Sequence, residues 1–147
     1  SCTYAIGRIE PDFFEKGRNG RFFRIPVYSN TKLALLLFTQ ELAERLQNQG
    51  ITINASDPGI VSTNMITMQA WFDPLTDILF RPFIKTPAQG AATAIHLALS
   101  NEAKDKNGCC YANCKKRNVS ERIRHHAQQK QLWDDTEILL RQKGIRF

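Results

Sequence analysis

The chain has 147 residues, of which 42% are hydrophobic and 23% charged, with a formal net charge of +6. This balance excludes collagen-like, disordered and disulfide-scaffold proteins and leaves an ordinary globular domain, or part of one. The longest apolar stretch, Leu33 to Phe38, is far below the roughly 20 residues that a membrane-crossing helix needs.

From Ser1 to Pro26 the residues are mixed and punctuated by Gly7, Pro11, Gly17, Gly20 and Pro26, which predicts a long connection with one short turn. Val27 to Gln49 then carries Ala34, Leu35, Phe38, Leu42 and Leu46 at three- and four-residue spacing, with Gly50 at the C-cap position. An amphipathic helix is expected there. Ile51 to Ala55 alternates apolar and polar residues and is closed by Asp57-Pro58-Gly59, the pattern of a strand ending in a turn.

Residues 60 to 85 are rich in Met, Trp and Phe without a clean period, and read equally as a cover over a substrate or as core. Thr86-Pro87-Ala88-Gln89 combines an N-cap threonine, a first-turn proline and a glutamine at the third position, which is a capping box. The helix it opens is expected to run to about Leu99, with Ala91, Ala94, Ile95, Ala98 and Leu99 as its apolar positions and His96 as a packed histidine. Asn107-Gly108 signals a turn into a short strand at Cys109 to Ala112, and Val119 to Arg141, with Trp133, Ile138 and Leu139, has the pattern of a terminal helix.

Four cysteines, three of them within residues 109 to 114, suit a reducing compartment and point to a cytoplasmic or membrane-peripheral protein. Cys110 and Cys114 lack the second ligand pair that structural zinc sites show, so no metal is expected. Ser1 is not an initiator methionine, and strand-exit residues follow it, so the chain is expected to begin within a fold. No glycine-rich phosphate-cradling loop occurs in it.

Tyr28 and Lys32 are four residues apart at the start of the strongest helix, so they project from one face about one turn apart. A positive charge a few ångströms from a phenol favours the phenolate and suits the hydroxyl to acid/base work. Tyr-x-x-x-Lys alone is equally the signature of a surface tyrosine beside a solvated lysine, and its context decides.

That context is specific. Tyr28-Ser29-Asn30-Thr31-Lys32 is followed by Leu33-Ala34, by Leu37-Phe38-Thr39-Gln40-Glu41-Leu42-Ala43, and by Asp57-Pro58-Gly59 with Val61 and Thr63. Gly7-Arg8-Ile9 precedes these motifs, and Ile84 to Ala91 opens the later helix. The chain resembles the short-chain dehydrogenase/reductase family, in its retinol-dehydrogenase-like branch, over nearly its whole length and fading after about Asn118.

The resemblance implies an α/β fold: the C-terminal part of a Rossmann-like doubly wound parallel sheet with flanking helices, residues 1–147 forming part of one domain whose cofactor-binding N-terminal half is absent. It implies hydride transfer between NAD or NADP and an alcohol, ketone or aldehyde, a lipophilic one that the apolar residues 65 to 83 would cover. By the same resemblance Tyr28 exchanges the proton, Lys32 assists it and binds the nicotinamide ribose, and Ser1 steadies the substrate oxygen. Pro58, Gly59, Val61 and Thr63 would meet the nicotinamide, at the carboxyl end of a strand where α/β sheets bind ligands. The missing half, or a second copy of the chain, is the expected protein partner.

Three other readings compete. The late basic cluster, Lys115, Lys116, Arg117, Arg122 and Arg124, with eleven Lys/Arg against six Asp/Glu in residues 101–147, suits a nucleic acid or an acidic membrane surface. No nucleic-acid motif accompanies it and no aromatic residues interleave it, so nucleic acid is not expected, whereas peripheral membrane contact is compatible with lipophilic substrates. Ser1 with its own amine is a conceivable nucleophile. A non-catalytic interaction module that keeps the fold without binding cofactor is the remaining alternative.

Overall fold

The computed structural model describes residues 2–10, 13–14, 24–61 and 84–145. Ser1, Thr63 and the Met- and Phe-rich stretch 65–83 therefore lie outside the described residues. A short 3-10 turn at Cys2–Ile6 leads to helix α1, Arg24–Arg45, then strand β1, Ala55–Asp57, and helix α2, Pro87–Leu99. Strands β2, Cys110–Ala112, and β3, Lys115–Arg117, follow, and helices α3, Glu121–Arg124, and α4, Gln129–Gln142, close the chain.

The strand order is β1-β2-β3. β1 and β2 are parallel, Ala55 opposite Cys110 and Asp57 opposite Ala112, with α2 in the crossover between them. This is the βαβ unit of an α/β fold. β3 was not expected: it returns antiparallel to β2, Ala112 opposite Lys115, through Asn113 and Cys114 at φ 52° and 60°. A two-residue turn with both central residues left-handed is the one whose twist matches a hairpin.

Helix α1 starts earlier than expected because Pro26 falls in its first turn, where a missing N–H leaves no bond unmade. It ends earlier too, residues 46–50 continuing as turns with Asn48 and Gly50 at positive φ. The expected stripe of Ala34, Leu35, Phe38, Leu42 and Leu46 is not the deepest face. Leu33, Leu36, Leu37 and Ala43 are buried instead, whereas Leu35 is 58% exposed. The reason is that α1 is covered from two sides, by the 3-10 turn and by α4, where Phe38 stacks on Trp133 at 4.7 Å between ring centroids.

The β1 ladder is displaced from residues 51–55 to 55–57 because two asparagines take over the earlier backbone groups. Ile53 N–H donates to Asn107 Oδ1 at 2.8 Å, and Cys109 N–H donates to Asn54 Oδ1 at 2.9 Å. Side chains there replace ladder bonds and satisfy the same groups.

Helix α2 has the expected cap: Gln89 N–H donates to Thr86 Oγ1, and Thr86 N–H to Gln89 Oε1. Its buried face differs from the expected one. Gly90 and Thr93 are buried, while Ile95 and Leu99 are 55% and 79% exposed, because small residues let the helix lie close to Val61 and the β2–β3 turn. The expected terminal helix is two helices, broken where Gln128 N–H donates to the His126 ring nitrogen. Val119, Ile123, Gln129 and Leu132 are buried there, and Ile138 is exposed.

The core gathers Ile9, Leu33, Leu36, Leu37, Cys110, Val119, Ile123 and Leu132, with Tyr4 and Ala55 packed against it. α1 thus rests on the sheet and holds Tyr28 and Lys32 above the carboxyl end of β1.

Candidate active site

A cavity of about 150 Å³ opens between the start of α1 and the end of β1. Tyr28 and Lys32 line it from the helix, Ser56, Asp57, Pro58 and Gly59 from the strand and its exit, and Tyr4 and Cys110 from below. Two motifs some thirty positions apart in sequence thus line one cavity. Val61 does not line it: its side chain turns to α2, where a Cβ on Gly90 would come within 2.6 Å of Val61 Cγ2.

Helical spacing brings Lys32 back over Tyr28, its Nζ 5.2 Å from the ring centroid, within the range of a cation–π contact. The backbone around them is tied down. Thr31 Oγ1 donates to the Tyr28 carbonyl at 2.7 Å, Arg8 N–H donates to Asn30 Oδ1 at 2.8 Å, and Ser29 is fully buried. Tyr28 itself is 42% exposed, so a ligand can reach its hydroxyl.

The other wall depends on Asp57, the first residue of the Asp57-Pro58-Gly59 turn. Its Oδ1 accepts Gly59 N–H at 2.9 Å, and its Oδ2 lies 3.5 Å from Arg117 Nη1. Burial pushes its pKa up, while the Gly59 N–H bond and the Arg117 charge pull the carboxyl down. Gly59 then turns at φ 77°, a conformation that favours glycine, and carries the chain past the cavity. The Asp-x-Gly spacing is a legible signal for such a side-chain-capped turn; the Arg117 partner, sixty residues on, has none.

Cys110 sits under the cavity and is buried. Burial first, and then the Asp57 carboxylate, push its thiol pKa up, partly offset by a hydrogen bond from Tyr4. Its thiol is therefore protonated at neutral pH and a poor nucleophile. Among the described residues no group of three or more His, Cys, Asp or Glu side chains is placed to hold a metal ion, and no helix is long and apolar enough to cross a membrane.

A phenol and an ammonium stand on one side of the cavity, and on the other a proline-glycine turn lets backbone approach a flat ring closely. Tyr28 and Lys32 could hold the polar part of a ligand, and Pro58 and Gly59 could lie against its ring.

Residues 16–71 match the family model described as short chain dehydrogenase. Retinol dehydrogenase 12 of Mus musculus is 37% identical over 147 residues, covering 100% of this chain and 45% of that protein. Retinol dehydrogenase 14 of Homo sapiens is 37% identical over 116 residues, 77% of this chain and 34% of its own length. The WW domain-containing oxidoreductase of Drosophila melanogaster is 34% identical over 120 residues, 82% of this chain and 29% of its own. The likeness does not fade after Asn118 as the motifs alone suggested, since the first of these matches runs through the whole chain. The chain spans a little under half the length of retinol dehydrogenase 12 and corresponds to the C-terminal part of such relatives. With the helix-borne Tyr28–Lys32 pair, the parallel β1–β2 unit and these matches together, the chain belongs to the short-chain dehydrogenase family of NAD(P)-dependent oxidoreductases.

Proposed function

We propose that these residues are the catalytic part of a dehydrogenase that interconverts a lipophilic alcohol and its aldehyde or ketone with NAD or NADP. The observation that carries this reading is the shared cavity: Tyr28 and Lys32 face Pro58 and Gly59 across it at a strand's carboxyl end. When bound, the nicotinamide accepts or supplies the hydride.

In the oxidising direction the Tyr28 oxygen takes the hydroxyl proton as the carbinol C–H bond breaks, and in reduction it returns that proton to the carbonyl oxygen. The Lys32 ammonium would stabilise the negative charge on Tyr28 before it takes that proton and after it returns it. Ser1 would steady the substrate oxygen, and Val61 and Thr63 would extend the nicotinamide contacts. The chain forms the C-terminal portion of a single domain, completed by an N-terminal segment of the full-length protein or by a second copy. Exposed Val27 and Leu35 beside Tyr28 supply apolar surface for that contact. The retinol named in its relatives is the first lipophilic substrate to try. A cytoplasmic setting at or near a membrane surface suits such a substrate.

The test is oxidation of a series of alcohols, retinol included, by the full-length protein that carries these residues, followed by the absorbance of reduced nicotinamide. Turnover that rises with chain length of the alcohol is the expected result. Absence of any nicotinamide-dependent turnover, with the folded protein failing to bind NAD(H) or NADP(H), overturns the reading in favour of a non-catalytic module.

A further inference from the structure

The turn that follows β1 is held from outside the cavity by Lys85, just ahead of α2. Lys85 N–H donates to the Ile60 carbonyl at 2.9 Å, and Val61 and Lys85 form an isolated parallel bridge. From there the Lys85 side chain runs back across Gly59: a Cβ built on that glycine would lie 3.3 Å from Lys85 Cε and 3.2 Å from Nζ. Its ammonium then donates to Asn113 Oδ1 at 2.5 Å, on the tight β2–β3 turn.

That turn is anchored in its own right, since Cys114 N–H donates to Thr93 Oγ1 at 3.3 Å and Thr93 is fully buried in α2. Gly90, one turn before Thr93, gives Val61 its seat. Backbone pairing, an aliphatic cover and a charge-assisted hydrogen bond thus converge on three consecutive residues, 59–61. Among the described residues Lys85 makes no ion pair that would divert its ammonium elsewhere.

We infer that Lys85 is a positioning residue, a strap that ties the Gly59–Val61 backbone to the Asn113 turn and so presents the loop to the nicotinamide. The inference rests on the dehydrogenase reading for its ligand, but not for the strap itself. Gly59, at φ 77°, has wide conformational freedom when unrestrained, so the loop needs an external tie to keep one shape. A loop ordered before binding spares the cofactor that ordering cost, and loss of the strap therefore appears as weaker binding.

The test uses the full-length protein with Lys85→Met, which keeps the aliphatic cover and removes the hydrogen bond, Lys85→Arg as the conservative rescue, and Asn113→Ala. Amide hydrogen exchange of residues 59–61 should be roughly tenfold faster in Lys85→Met and Asn113→Ala, no faster still in the double variant, and near wild type in Lys85→Arg. KM for the cofactor should rise severalfold with kcat little changed. Unaltered exchange in Lys85→Met refutes the strap even if no turnover is measurable. Faster exchange with an unchanged cofactor KM refutes its role in presenting the loop. A wild-type protein without cofactor binding refutes the dehydrogenase reading and leaves the exchange result to judge the strap.

Discussion

Gly7→Ala isolates the contact that seats the catalytic helix. A Cβ at Gly7 would lie 2.5 Å from the Ser29 carbonyl oxygen and 2.9 Å from Leu33 Cβ, whereas relaxed carbon contacts sit at about 3.5 Å or more. Ser29 and Leu33 are fully buried and cannot retreat, so the 3-10 turn must lift from α1 by about an ångström. Overpacking of this kind costs about 1–3 kcal/mol. The adjoining bond from Arg8 N–H to Asn30 Oδ1 is lost as well, adding about 1 kcal/mol, while the stiffer unfolded chain returns about 0.5 kcal/mol. The sum is a destabilisation of about 1.5–3.5 kcal/mol, and at a urea slope of about 2 kcal/mol per molar the midpoint falls by about 0.7–1.8 M. Equilibrium urea unfolding followed by circular dichroism reads it directly. Gly50→Ala is the control: Gly50 has φ 72° and no atom within 4 Å of a built Cβ, so only the backbone penalty of about 1–2 kcal/mol applies. A Gly7→Ala midpoint equal to wild type would refute the packing argument.

Two further predictions concern stability. The Gly59 N–H bond and the Arg117 charge both favour the ionised form of Asp57, so the stability they supply is fully present above about pH 4 and is lost as pH falls below the folded pKa of that carboxylate. Asp57→Asn should therefore lower stability at neutral pH and flatten the acid limb of the stability profile, measured by urea titration at a series of pH values; an unchanged acid limb counts against the Asp57–Arg117 and Asp57–Gly59 interactions. Leu37, fully buried in the core, should cost about 2–5 kcal/mol on substitution to alanine. A cost below that of an exposed Leu35→Ala change would contradict the observed orientation of α1.

How much of this was legible in the sequence depends on whether a residue's partner is near it in the chain. The capping box at Thr86–Gln89 and the Tyr28–Lys32 pair are local patterns three and four residues long, and both stand in the structure as their spacing implies. The buried face of α2 was misjudged because alanine, isoleucine and leucine at helical spacing outweigh Gly90 and Thr93 by hydrophobicity. The sheet needed close approach there rather than apolar bulk. β3 was missed because Lys115, Lys116 and Arg117 carry no strand pattern; pairing with β2 through a left-handed Asn-Cys turn defines it. In the candidate site, Tyr28, Lys32, Pro58 and Gly59 lie in motifs visible in the sequence, whereas Arg117 on Asp57 and Lys85 on Asn113 are meetings made by tertiary packing. Ser1 and Thr63 were also singled out, and they fall outside the described residues.

The central claim is that the Tyr28 hydroxyl moves the proton, and Tyr28→Phe in the full-length protein tests it most directly because it removes one oxygen and leaves the ring under Lys32. Steady-state turnover should fall by about a hundredfold or more, the scale of a lost general acid/base, while fluorescence titration shows reduced nicotinamide still bound. A phenylalanine variant that turns substrate over at the wild-type rate would contradict the account.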